Sequence, residues 1–131
     1  MLNLHSLPIP KLTAICSSAE IVDIQTQLDM VYCSDELKGY IIDIARESRQ
    51  NSALLLGASP RAAINLMKAA RAHALLNGRE FVTHDDVQSI CHSVLGHRLI
   101  MRPEAEMDGR TIDSVIQQVI QRVPVLADTK Q

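Results

Sequence analysis

Five times in 131 residues a serine or threonine stands directly before aliphatic residues spaced three and four positions apart. That spacing puts apolar side chains on one helix face, and a hydroxyl at the N-cap satisfies a backbone N–H that would otherwise be unpaired. Ser17 opens the first run, with Glu20 set to complete a capping box and Ile21, Ile24, Leu28 and Val31 on the face. Ser34 opens the second, with Asp35 and Glu36 where the helix dipole favours negative charge. Its face is Leu37, Tyr40, Ile41, Ile44 and Ala45, as far as about Arg49. Ser59-Pro60 opens the third, since proline suits the first helical position, and Ala63, Leu66, Met67, Ala70 and Ala74 lead to a stop at Asn77-Gly78. Thr83 opens the fourth, with Asp85 and Asp86 in its first turn, a face of Val87, Ile90, Cys91, Val94 and Leu95, and an end at Gly96. Thr111 opens the fifth, with Ile112, Val115, Ile116, Val119 and Ile120 before Pro124 stops it. The pattern predicts an all-α fold: a small helical bundle of about five helices with short extended connections such as Phe81-Val82. Residues 97–110 read as polar turns, with Pro103 and Gly109 as breakers.

Composition narrows the function classes. Aromatics are only 2% of the chain against 47% hydrophobic residues, so the core is built from Leu, Ile, Val, Ala and Met. Thirteen basic residues against fifteen acidic give a net charge of −2, which removes the bulk electrostatic attraction most nucleic-acid binders need; no nucleic-acid partner is expected. No unbroken apolar run exceeds four residues, as in Ala53–Leu56, far short of the roughly 20 residues that span a bilayer, so no membrane association is expected. The opening MLNLHSLPIPK does not read as a signal peptide. Cys16, Cys33 and Cys91 form no C-x-x-C pair and read as reduced thiols of a cytoplasmic protein.

Glycines at 39, 57, 78, 96 and 109 are too widely spaced for a phosphate-binding P-loop or a dinucleotide fingerprint. Neither H-E-x-x-H nor G-x-S-x-G occurs. Cys91, His92 and His97 fit no zinc spacing and lack a fourth ligand, so no metal site is expected. The chain by itself is not expected to be an enzyme.

One local rule is broken. Every other predicted helix start carries acidic residues, but Ala58-Ser59-Pro60-Arg61 puts an arginine beside the positive end of the dipole. Such a charge costs roughly 0.3–1 kcal/mol at an exposed site. The same turn suits an anion, because unpaired N–H groups point outward and a guanidinium fork matches phosphate oxygens. A solvated surface arginine is the bland alternative.

The stretch Leu56-Gly-Ala-Ser-Pro-Arg-Ala62, with Lys68-Ala-Ala-Arg-Ala72 and Asn77-Gly-Arg79, resembles the lid subdomain of MoxR-family AAA+ ATPases. Val31-Tyr-Cys-Ser-Asp-Glu-Leu37, Phe81-Val-Thr-His-Asp-Asp-Val87, Val94-Leu-Gly-His-Arg-Leu99, Pro103-Glu-Ala-Glu106 and Arg122-Val-Pro124 extend the likeness over roughly residues 12–124. His84 stands where the family usually has proline, and Gly96 where it often has a basic residue. The resemblance implies that Arg61 is similar to the sensor-2 arginine, which reaches from the lid to ATP bound on a larger core, with Ala58, Ser59 and Pro60 as the nucleotide-side loop. It implies ATP and Mg as cofactors of an intact parent ATPase, with neither expected to bind this chain tightly alone. It also implies a homo-oligomeric ring, expected to be a hexamer, and chaperone-like work on partners such as von Willebrand factor A domain proteins. The P-loop and metal-binding motif of such a core are missing. The expectation is therefore a C-terminal fragment: residues 1–12 a linker from an absent upstream core, 13–125 the helical lid, and 126–131 a frayed tail.

Lys68, Arg71 and Arg79 form either a basic strip toward nucleotide or a neighbouring subunit, or ordinary surface charge; the sequence favours the second modestly. Arg46, Glu47 and Arg49 read as a solvated helix end. The competing function is a freestanding helical binding module, such as a helix-turn-helix DNA reader or a protein-interaction domain, which the charge balance disfavours.

Overall fold

The computed structural model describes residues 8–126. Most of the linker expected over 1–12 and of the tail expected over 126–131 lies outside the described residues. The elements are α1 (Ser18–Gln27), a 3-10 turn (Leu28–Met30), α2 (Asp35–Gln50), β1 (Leu54–Leu56), α3 (Pro60–Leu76), α4 (His84–Leu95), β2 (Ile100–Met101), α5 (Pro103–Met107) and α6 (Ile112–Arg122). The architecture is the expected small helical bundle. No described helix is long and apolar enough to cross a membrane.

All five predicted hydroxyl caps form, at Ser17, Ser34, Ser59, Thr83 and Thr111, each accepting an N–H from three residues on. At Thr83 and Thr111 the bond is reciprocated in a full capping box. At Ser17, among the described residues, only the hydroxyl's half of the box is made. Gly78 adopts φ +73, the left-handed turn that ends α3 and that residues with a Cβ rarely adopt.

The predicted faces of α2, α3, α4 and α6 meet in one aliphatic core that includes Ile44, Leu66, Ala70, Val87, Cys91, Val115 and Ile116. Burial pushes the Cys91 thiol up to about 12. The alanines of α3 let α4 pack closely along it, and α2 and α6 close the other sides.

Three expectations need correction. The first helix buries none of its residues: Ile21 and Ile24 are more than 40% exposed, because α1 packs chiefly on the 3-10 turn that follows it. Residues 97–110 are not all turn. Ile100–Met101 pairs antiparallel with Leu54–Leu56, and α5 follows with Pro103 at its first position, where a missing N–H costs nothing. The bundle therefore has a sixth, short α-helix. Lastly, Arg79 is not free surface charge, because it is paired with a buried carboxylate.

Arg79 is held by Asp86. Its Nη1 and Nη2 donate to the two oxygens of this buried carboxylate at 2.6 and 2.5 Å. His73 Nδ1 lies 2.7 Å from Oδ1, and the Thr83 N–H and hydroxyl donate to Oδ2 at 2.7 and 3.0 Å. The Arg79 guanidinium, aided by the Thr83 and His73 bonds, holds the Asp86 carboxyl well below the usual carboxylate range, against the opposing effect of burial. One side chain thus ties the end of α3 to the start of α4.

The acid sensitivity of the bundle follows from that depression. Unfolded, Asp86 titrates near 3.9, about the reference value for aspartate. Its contribution is therefore complete at neutral pH and is lost as pH falls below about 4 toward the lower folded value. Asp86→Asn is expected to destabilise the chain by roughly 3–5 kcal/mol at pH 7, since it breaks a buried pair, and to flatten the fall in melting temperature between about pH 4 and 2. Thermal unfolding followed by circular dichroism across that range checks both; an unchanged acid limb would remove Asp86 as its source.

Candidate anion site at the start of helix α3

The start of α3 is built by the segment that leads into it. Asn51, buried at the end of α2, accepts the Ala53 N–H at 2.9 Å and donates to Gln118 on α6 at 3.2 Å. Gln118 also accepts from Arg110 at 2.6 Å. β1 then runs along β2, and the Arg102 N–H bonds the Ala53 carbonyl at 2.8 Å. The chain next passes α2 so closely that a Cβ on Gly57 would fall 2.6 Å from the Arg49 backbone.

Ala58 is buried and both of its backbone groups are bonded to α2. Its N–H donates to the Ser48 hydroxyl at 2.8 Å, and its carbonyl accepts from Arg49 Nη1 at 2.7 Å. Ser48 is itself fully buried and donates to the Ala45 carbonyl at 2.7 Å. Arg49 is thus not a merely solvated helix end. Arg46 and Glu47 form surface pairs with Asp43 and Arg122 at 3.5 and 3.3 Å.

From Ala58 the chain turns outward. Ser59 caps α3 through the Ala62 N–H at 3.2 Å, and its carbonyl takes the Ala63 N–H at 3.1 Å. Pro60 has no N–H. The Arg61 N–H is left without a protein acceptor among the described residues, and the exposed Arg61 side chain has neither an ion-pair nor a hydrogen-bond partner there. No acidic residue lies in this first turn. Ser59, Pro60 and Arg61 therefore form one outward-facing turn with an open N–H and an unneutralised guanidinium, a geometry that fits one phosphate group, while Ala58 lies buried behind it as the anchor.

The other candidates are dispersed. Arg79 lies beyond the far end of α3, roughly 25 Å from Arg61 by the length of a 17-residue helix. Arg71 is mostly buried, with Nη1 3.8 Å from Asp29, and Lys68 is exposed between them along the helix. His92 Nδ1 pairs with Asp113 at 2.8 Å, and Cys91 is enclosed in the core. His84 packs edge-on against Tyr40, with ring centroids 4.7 Å apart.

Sequence reading missed Ser48, Arg49 and Gly57. A signal for Ser48 was present: it continues the stripe of Ile41, Ile44 and Ala45 at helical spacing, so a hydroxyl was bound to be buried there. Its partner, ten residues on, left no mark in the periodicity.

Residues 46–119 match the family model described as the AAA lid domain. The chain is 35% identical to the protein YeaC of Bacillus subtilis over 120 residues, 92% of this chain and 38% of that protein. It is 29% identical to the chaperone MoxR1 of Mycobacterium tuberculosis over 123 residues, 87% of this chain and 33% of the relative. A crystal structure from Cytophaga hutchinsonii, described as that of an ATPase, superposes with a TM-score of 0.78 at 30% identity. That match takes in 83% of this chain and 36% of the solved one. The chain thus spans about a third of the length of these three relatives.

Gly57→Ala tests the close passage that places the turn. The added methyl meets backbone atoms of Arg49, which cannot rotate away, so the variant is expected to lose about 1–3 kcal/mol of stability. Denaturant unfolding measures it; an unchanged midpoint would mean that the loop has room to spare.

Proposed function

The chain belongs to the AAA lid domain family, and we propose that it is the lid of a MoxR-type AAA+ ATPase with Arg61 as its sensor-2 arginine. What carries this reading is the one helix start that breaks the dipole rule: an exposed, unpaired guanidinium beside an open N–H. A cation held there costs little in the lid and becomes useful when negative charge is brought against it.

The residues fit a phosphate and not a whole nucleotide. The first turn of α3 has no carboxylate, so the metal ligands would belong to a core domain. ATP bound on such a core, with its Mg, would supply the phosphoryl group and the leaving group of hydrolysis. The lid's own part is narrower. Arg61 presents fixed donors to phosphate oxygens as charge shifts during transfer, Ser59 and Pro60 set the start of the helix, and Ala58 anchors the loop. A phosphate contact at one end of a rigid bundle turns a change of nucleotide into a rotation of the lid. On this reading the parent works as a ring, expected to be a hexamer. The chaperone named among the relatives favours remodelling of protein partners, with von Willebrand factor A domain proteins as the expected class.

Arg61→Ala separates function from folding. The melting temperature of the chain is expected to stay level or rise slightly, because the dipole penalty is relieved. Steady-state ATP hydrolysis by the full-length ATPase is expected to fall about tenfold or more, since loss of one such donor can cost roughly 2.7–4 kcal/mol of transition-state stabilisation. Arg61→Glu should match that loss, and Arg61→Lys should restore only part of the rate, as a point charge without the planar fork. Unimpaired hydrolysis with a folded lid would reduce Arg61 to a surface residue.

A further inference from the structure

We propose that Ser48 and Arg49 are positioning residues for Arg61: the last turn of α2 grips both backbone polar groups of Ala58 and thereby sets where the arginine stands. The inference rests on the phosphate reading of Arg61 and adds to it two residues that touch no ligand.

Three observations carry it. The first is the completeness of the grip. The Ser48 hydroxyl receives the Ala58 N–H at 2.8 Å while spending its own proton on the Ala45 carbonyl at 2.7 Å, so the hydroxyl cannot turn away without breaking a second bond. Arg49 Nη1 takes the Ala58 carbonyl at 2.7 Å. The second is closeness. Gly57 lets the loop lie directly on the α2 backbone, so no intervening side chain can flex between the two. The third is the choice of chemistry. An apolar side chain would fill the fully buried Ser48 position without the cost of desolvating a hydroxyl, yet a hydroxyl stands there and its only loop partner is the residue directly before the α3 cap.

Charge adds a second consequence. Among the described residues Arg49 has no carboxylate partner; its guanidinium bonds a neutral carbonyl. Its charge therefore remains unneutralised on the segment that leads to Arg61, and Arg49 and Pro60 line the same groove, of about 410 Å³, between α2 and α3. A phosphate approaching Arg61 then meets the field of a second cation, held in place by its bond to the Ala58 carbonyl.

A double-mutant cycle on ATP hydrolysis by the full-length ATPase tests the proposal. Ser48→Ala and Arg49→Ala are each expected to lower kcat roughly ten- to a hundredfold, the scale of a displacement of about 1 Å at a catalytic group. Combined with Arg61→Ala, neither should lower kcat further, because a positioning residue has nothing left to position. In the chain itself, hydrogen exchange of the Ala58 amide should speed up in Ser48→Ala and stay slow in Arg61→Ala. If Ser48→Ala fails to fold, Arg49→Ala decides alone, since that side chain is exposed and leaves no cavity. Losses that multiply with Arg61→Ala would overturn the proposal, as would a full rate in Arg49→Ala beside a slow Arg61→Ala. A full rate in Arg61→Ala itself would instead overturn the sensor reading, and this proposal with it.

Discussion

The buried carboxylate of Asp86 is the interaction on which the bundle depends. It accepts from His73, Arg79 and Thr83, which lie on α3, on the turn after it and at the cap of α4. An aspartate removed from water is costly unless its lone pairs are filled, and here they are filled by a planar fork, a ring nitrogen and a capping residue. The result is directional: α3 and α4 can lie only where all three donors reach the same two oxygens. Aliphatic packing along the helices supplies area, but Leu, Ile and Ala faces alone tolerate sliding.

With one end of α3 set by Asp86, the other is set by α2. Ser48 and Arg49 hold Ala58, Asn51 ties the same stretch to α6, and the β1–β2 pairing fixes the approach. A 17-residue helix held at both ends is a stiff spacer, so Arg61 is presented on a rigid element rather than on a loose loop. The apolar residues of α1, by contrast, stay exposed. The ordered core is built by the five α-helices that follow it.

Magnitudes explain why an arginine persists at a helix start. The dipole penalty of roughly 0.3–1 kcal/mol is matched by the Ser59 cap, typically worth about 1 kcal/mol. Proline at the first position adds pre-set geometry without losing a hydrogen bond. The helix therefore forms in spite of the charge, and Arg61 is left exposed without an acidic neighbour to neutralise it. A carboxylate in that turn would have stabilised the helix and cancelled the charge on which the proposed phosphate contact rests.

The sequence by itself determined what depends on near neighbours. Ser17, Ser34, Ser59, Thr83 and Thr111 bond three residues onward, and the faces of α2, α3, α4 and α6 repeat at helical spacing, so both could be read without knowing where any helix would lie. The exposed Arg61 turn was legible for the same reason: its conflict is with the dipole of its own helix. Contacts that reach beyond one helix, even seven or nine residues along the chain, were not legible. Arg79 looked like surface charge until folding set it against Asp86, Arg49 looked like a solvated end until the loop crossed it at Gly57, and Pro103 looked like a breaker until Ile100–Met101 found Leu54–Leu56. In each case the residue's environment is made by a segment that only packing brings close, and an ionisable or polar side chain takes its role from whichever partner arrives there.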